Sequence, residues 1–140
     1  MSEIKNFKKE FINTLNSISD SKINELIKQL FLLKKKSGRL FILGIGGSAG
    51  NASHAVNDFR KLCEIEAYTP TDNVSEITAT TNDEGFENIF YNYLIRSKIK
   101  SKDALLIFSV GGGNKKKKIS TNLIKAINLA KKKKLKVFSI

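Results

Sequence analysis

Leu40-Phe41-Ile42-Leu43-Gly44-Ile45-Gly46-Gly47-Ser48-Ala49-Gly50 is the stretch on which the reading of this chain turns. Four apolar residues run into a glycine cluster, and helix-forming sequence follows through Asn51-Ala52-Ser53-His54-Ala55-Val56. An apolar run this short, bounded by turn residues, predicts a strand buried on both faces of a parallel sheet. The glycines permit a sharp turn and a close approach of backbone to ligand, since no Cβ stands in the way. Ser48 then falls near a helix N-terminus, where free N–H groups and the helix dipole favour an anion by ~0.3–1 kcal/mol. The expected chemistry is a phosphate cradle.

By itself the stretch leaves three readings open. Gly44-x-Gly46-x-x-Ala49 fits a dinucleotide fingerprint, with Glu64 or Glu66 near the offset for a ribose contact. Gly46-Gly47-Ser48 suits a sugar phosphate equally well, and a tight turn without a ligand is the third reading. A second apolar run, Ala104-Leu105-Leu106-Ile107-Phe108, enters another glycine loop, Ser109-Val110-Gly111-Gly112-Gly113-Asn114. Both loops follow parallel strands, so both belong at the carboxyl end of the sheet, where open α/β folds bind ligands.

Working outward, two amphipathic helices precede the first strand. Phe7, Phe11, Ile12, Leu15 and Ile18 recur at helical spacing, as do Ile23, Leu26, Ile27, Leu30 and Phe31, before Gly38 ends the second helix. No βαβ unit has room for them, so they are expected to cover a sheet face or a partner subunit. After the glycine loop a helix should turn Ala49, Ala52, Ala55, Val56, Phe59 and Leu62 inward, with Cys63 a small buried hydrophobe at its end. Glu64–Tyr68 reads as strand two and Ser75–Thr80 as a short helix. Asn82-Asp83-Glu84-Gly85 reads as a loop, followed by a helix through Phe86, Ile89, Phe90, Tyr93 and Leu94. A helix over Ile119–Lys133 and a strand over Leu135–Ile140 complete the alternation. The pattern predicts a three-layer αβα sandwich around an open parallel sheet, flavodoxin- or Rossmann-like. Residues 1–37 would form the N-terminal helices and residues 38–140 the α/β core of one domain. The apolar Val137-Phe138-Ser139-Ile140 edge has no helix after it, so the final strand or strands and a helix are expected to be missing.

Composition narrows the function. The 140 residues are 41% hydrophobic and 27% charged, ordinary for a globular domain. No apolar run approaches the ~18 residues needed to span a membrane, and the N-terminus lacks the apolar core of a signal peptide. One cysteine excludes an intrachain disulfide and carries no metal-site spacing. These features predict a cytoplasmic protein. The net charge of +12 is nearly all lysine, concentrated in Lys34–Lys36, Lys115–Lys118 and Lys131–Lys134 without interleaved aromatic residues. Solvated helix ends explain it better than nucleic acid does.

Taken together, the motifs resemble the sugar isomerase (SIS) domain family and, within it, the phosphoheptose isomerases. The resembling residues are Gly44-Ile45-Gly46-Gly47-Ser48-Ala49, then His54 with Asp58, then Thr81-Asn82-Asp83-Glu84-Gly85-Phe86, then Ser109-Val110-Gly111-Gly112-Gly113-Asn114. Their order covers essentially the whole chain. The resemblance implies isomerisation of sedoheptulose 7-phosphate to a heptose 7-phosphate for bacterial surface-sugar synthesis. It also implies zinc and a homo-oligomer, a dimer or tetramer with sites between subunits. It would have Gly46, Gly47, Ser48, Ser109, Gly111 and Gly112 hold the phosphate, and Asn82 and Asp83 meet the sugar. His54 would be a metal ligand; Asp58, standing where the family has glutamate, would be ligand and base. His54 is the only histidine, and the family's remaining ligands and catalytic histidine come from a segment absent here. A non-catalytic phosphosugar-binding sensor or regulatory module is the alternative.

Overall fold

The structure is a computed structural model that describes residues 2–114, 116, 117 and 119–140. Lys115 and Lys118 of the middle lysine run lie outside the described residues. The chain divides into two compact units, one ending at Leu32 and the other Leu33–Ile140. The first holds α1 (Ser2–Ser17) and most of α2 (Asp20–Lys35). Along α1 the apolar residues that set its period lie exposed, among them Phe7 at 68% and Phe11 at 62%, their rings stacked 6.5 Å apart.

In the second unit, β1 (Leu40–Leu43) is the inner strand predicted for it, and each of its residues is at most 1% exposed. It pairs in parallel with β2 (Ala67–Tyr68) on one side and β3 (Ala104–Ile107) on the other. β4 (Lys136–Ser139) adds to β3, giving the parallel order β2-β1-β3-β4. Leu40 lies opposite Ala104 and Leu43 opposite Ile107, so β1 and β3 end level with each other. That register brings their following loops side by side. The order reverses direction between β1 and β3, and at such a point open α/β sheets leave a crevice for ligand.

Side-chain alternation sorts the core into two layers. Phe41, Leu43, Leu105 and Ile107 share one buried cluster with Ile89, Phe90 and Leu94 of the α5 region and Leu123, Ala126 and Leu129 of the α6 region. Here α5 is Ile89–Arg96 and α6 is Thr121–Lys132. Leu40, Ile42 and Leu106 point to the other face, where α3 (Gly47–Lys61) packs on β1 and β2 with Ala52 and Val56 buried. Full burial of each large side chain stabilises the fold by ~1.5–3 kcal/mol.

Several boundaries differ from the sequence reading. α3 ends at Lys61, so Leu62 is 71% exposed and Cys63 stands in the exposed turn after it, not in the core. Glu64 takes φ +53 to redirect the chain, and Ile65 supplies the buried apolar residue instead. Strand two shrinks to two residues. A 3-10 turn, Pro70–Asp72, precedes α4, which spans Val74–Glu84 and absorbs the Asn82-Asp83-Glu84 run read as a loop. Asn73 caps its start by accepting from the Glu76 amide at 3.1 Å, and Gly85 at φ +89 ends it. A 3-10 turn over Phe86–Asn88 leads into α5.

Candidate functional site

The turn after β1 is built around two glycines. A Cβ on Gly44 would stand 2.2 Å from the backbone oxygen of Ser48, so only glycine lets α3 begin this close to the strand. Gly46 adopts φ +60 and ψ −126, a conformation open to glycine alone, and precedes the first turn of α3. The Ser48 amide turns back to the Ile45 carbonyl at 3.2 Å and the Ala49 amide to that of Gly46 at 2.9 Å. The Gly47 amide keeps no partner among the described residues.

The second loop arrives from the adjoining strand. The Phe108 amide donates to the Leu43 carbonyl at 2.9 Å and the Ser109 amide to that of Ile140 at 3.0 Å, which carries the sheet ladder to the loop's edge. Gly111 and Gly112 follow, Gly112 at φ +59, and their amides too are without a partner among the described residues. Asn114 and Ile119 exchange two backbone bonds, closing the loop in front of α6.

Between the loops lies a pocket of about 570 Å³. Gly47, Ser48, Ser109 and Gly111 line it, together with Asn51, Ser120, Ile45, Phe108, Val110 and Leu123. Four of the predicted phosphate residues thus converge, while Gly46 and Gly112 shape the two turns behind them without lining the pocket. Ser120 and Asn51 are additions. Ser120 sits at the N-cap of α6 with φ +50, so the first turns of both α3 and α6 border one cavity. The Ser-Thr-Asn run just before the apolar period of α6 is an N-cap signature that marks Ser120. Among the described residues that line it none carries a charge, and their donors are hydroxyls, amides and two helix N-termini, a set suited to an anion. A groove of about 590 Å³ along α5 and α6, lined partly by Lys125, Lys132 and Lys133, is slightly larger but borders neither glycine loop.

The family follows from sequence. The SIS domain model matches residues 4–140. The chain belongs to the SIS domain family. Phosphoheptose isomerase from Helicobacter pylori is 28% identical over 144 aligned positions, which take in 95% of this chain and 71% of that protein. The lincomycin biosynthesis protein LmbN of Streptomyces lincolnensis is 34% identical over 102 positions, covering 69% of this chain and 37% of its own. Among solved structures, phosphoheptose isomerase GmhA from Neisseria gonorrhoeae superposes with a TM-score of 0.84 at 24% identity. That match covers 99% of this chain and 72% of that one. The chain therefore spans from about a third to about seven-tenths of the length of these relatives.

Other expected site residues of this SIS domain are not among those that line the pocket. His54 Nε2 stands 3.3 Å from Asp58 Oδ2 on an exposed face of α3, as the i, i+4 spacing requires. No group of three potential metal ligands occurs among the described residues. Zinc in a catalytic site generally takes three protein ligands, so this donor pair does not by itself fit the zinc that the family resemblance implies. Asn82 donates to Asp83 Oδ1 at 2.7 Å in the last turn of α4, both exposed. Glu64 and Glu66 exclude the dinucleotide reading. Both precede β2, at the sheet end opposite the glycine loops, with Glu64 2.8 Å from Lys34 and Glu66 accepting from the Tyr68 hydroxyl at 2.9 Å.

Proposed function

We propose that this SIS domain binds a phosphorylated sugar between its two glycine loops and takes part in aldose–ketose isomerisation. The substrate proposed is sedoheptulose 7-phosphate, converted to a heptose 7-phosphate for bacterial surface-heptose synthesis in the cytoplasm. The observation that carries this reading is the pocket bordered by two helix N-termini and the hydroxyls of Ser48, Ser109 and Ser120. The phosphate is held by those hydroxyls with the amides of Gly47 and Gly111, Gly112 shaping the turn behind them, and Asn82 and Asp83 engage the sugar. The isomerase relatives supply the reaction.

The reaction moves a proton from the carbon beside a carbonyl, and Asp58, oriented by His54, is the proposed base. The proposed chemistry runs through no metal. A homo-oligomer belongs to the same proposal, supported by the exposed Phe7, Phe11 and Leu15 on one face of α1. A non-catalytic phosphosugar sensor is the second reading, favoured by a single acid–histidine pair standing outside the pocket. Calorimetric titration with sedoheptulose 7-phosphate and with free sedoheptulose, followed by a turnover assay, tests both. Binding of the phosphorylated sugar alone supports the pocket; turnover separates enzyme from sensor. Equal binding of both sugars would sink the phosphate role.

A further inference from the structure

α4 ends against its own dipole. Its last turn carries Asp83 and Glu84 and no basic residue, although the C-terminal end of a helix disfavours negative charge. The compensating cation comes from α5. Arg96 Nη1 donates to the Thr80 hydroxyl at 2.8 Å and lies 3.6 Å from Glu76 Oε1, while Nη2 donates to Glu84 Oε1 at 2.6 Å. Its three partners sit one turn apart along α4. A matching stripe runs along the other segment: Asn92 donates to Glu84 Oε2 and Asn88 to the Glu84 carbonyl, both at 2.5 Å. Asn88 in turn accepts from Lys125 Nζ at 2.8 Å, on the helix whose N-cap borders the loop pocket.

Glu84 is therefore saturated. Both carboxylate oxygens and its carbonyl are engaged, so it is a brace and not a free base. Asn82 and Asp83 occupy the turn that this brace holds, and among the described residues each has the other as its hydrogen-bonding side-chain partner. We propose that Arg96 is a positioning residue that fixes Asn82 and Asp83 for the sugar portion of the ligand. It does so without touching the loops that hold the phosphate. This rests on reading the pocket as a phosphosugar site.

The test uses the 140-residue chain, as Arg96→Gln, Arg96→Lys and the charge exchange Arg96→Glu with Glu84→Arg. Hydrogen exchange reads the brace directly and needs no ligand. In Arg96→Gln the amides of Thr81–Gly85 should exchange about tenfold or more faster while those of β1 and β3 keep their rates, and the charge exchange should restore them. Titration reads the role: affinity for sedoheptulose 7-phosphate should fall about tenfold, the scale of one charge-assisted hydrogen bond, with affinity for inorganic phosphate unchanged. Arg96→Lys should fall between parent and glutamine, since a point charge replaces a planar fork. Unchanged exchange at Thr81–Gly85 would overturn the brace. Equal loss for both ligands, or loss for neither, would overturn the positioning role. A parent chain that binds inorganic phosphate as well as the phosphosugar would refute the substrate reading and with it the sugar-positioning role, while the exchange data still judge the brace.

Discussion

Arg39 Nη2 lies 2.8 Å from Asp103 Oδ2, joining the entrances of β1 and β3 at the sheet end opposite the pocket. Asp103 is 1% exposed and also accepts from the amides of Arg39 and Lys100 at 3.0 and 2.9 Å. Arg39 further donates to the carbonyls of Ser97 and Lys98 and stacks over Phe41 at 5.1 Å. The pair thus fixes the register that sets the two loops side by side. Asp103→Ala leaves a partly exposed guanidinium without its carboxylate, a loss that should reach at most the ~3–5 kcal/mol of a fully buried pair. A urea titration should show the midpoint falling accordingly, and an unshifted midpoint would remove the pair from the fold's supports.

Burial alone raises the pKa of Asp103, but the hydrogen bonds from Arg39 and the two amides outweigh it and hold the carboxyl below its ordinary value of 3.8. A depressed carboxylate contributes stability that is complete above the unfolded value and is lost as pH falls through the folded one. Acid unfolding of the parent should therefore include a loss below pH 3.8 that Asp103→Asn lacks. Circular dichroism across that range decides it.

Ser48→Ala removes one hydroxyl from the pocket, and Ser120→Ala another. Each should weaken phosphosugar binding by roughly ten- to a hundredfold, corresponding to ~1.5–3 kcal/mol for a bond to a charged group. Calorimetry with either variant matching the parent would take that serine out of the site.

Gly44→Ala drives a methyl group into the Ser48 carbonyl region, where the gap is 2.2 Å. The backbone must move, at a cost of about 1–3 kcal/mol for overpacking. Thermal melting should register the loss, and phosphosugar binding should fall in parallel because the displaced segment is the cradle itself.

If α1 is an assembly surface, Phe7→Asp combined with Phe11→Asp should dissociate the oligomer. Each ring withdrawn from an interface forfeits ~1.5–3 kcal/mol of burial. Sedimentation of parent and variant should give different masses, and identical masses would discard α1 as the contact.

The sheet was legible where apolar runs were unbroken. Leu40–Leu43 and Ala104–Ile107 have no polar residue to dispute the assignment, and the glycines after them mark both turns. Asn82-Asp83-Glu84 misled because its composition is that of a loop, and the guanidinium that pairs with its last residue stands twelve residues on from Glu84, outside any local pattern. Cys63 and Leu62 misled for the converse reason: an apolar period ran past the point where the backbone stops being helical. Ser120 carries a cap signature, but its place at the pocket depends on a loop path that no local pattern encodes.

A cradle whose described lining is neutral, on a strongly basic protein, divides capture into two regimes. Lysines spread over the surface attract an anion across a distance that salt screens at about 10 Å in 0.1 M, so arrival should slow as ionic strength rises. Inside the pocket, amide dipoles and hydroxyls act at contact distance, where screening is slight. Residence should thus be nearly independent of salt, leaving ionic strength to set how often the ligand comes and the two helix ends to set how long it stays.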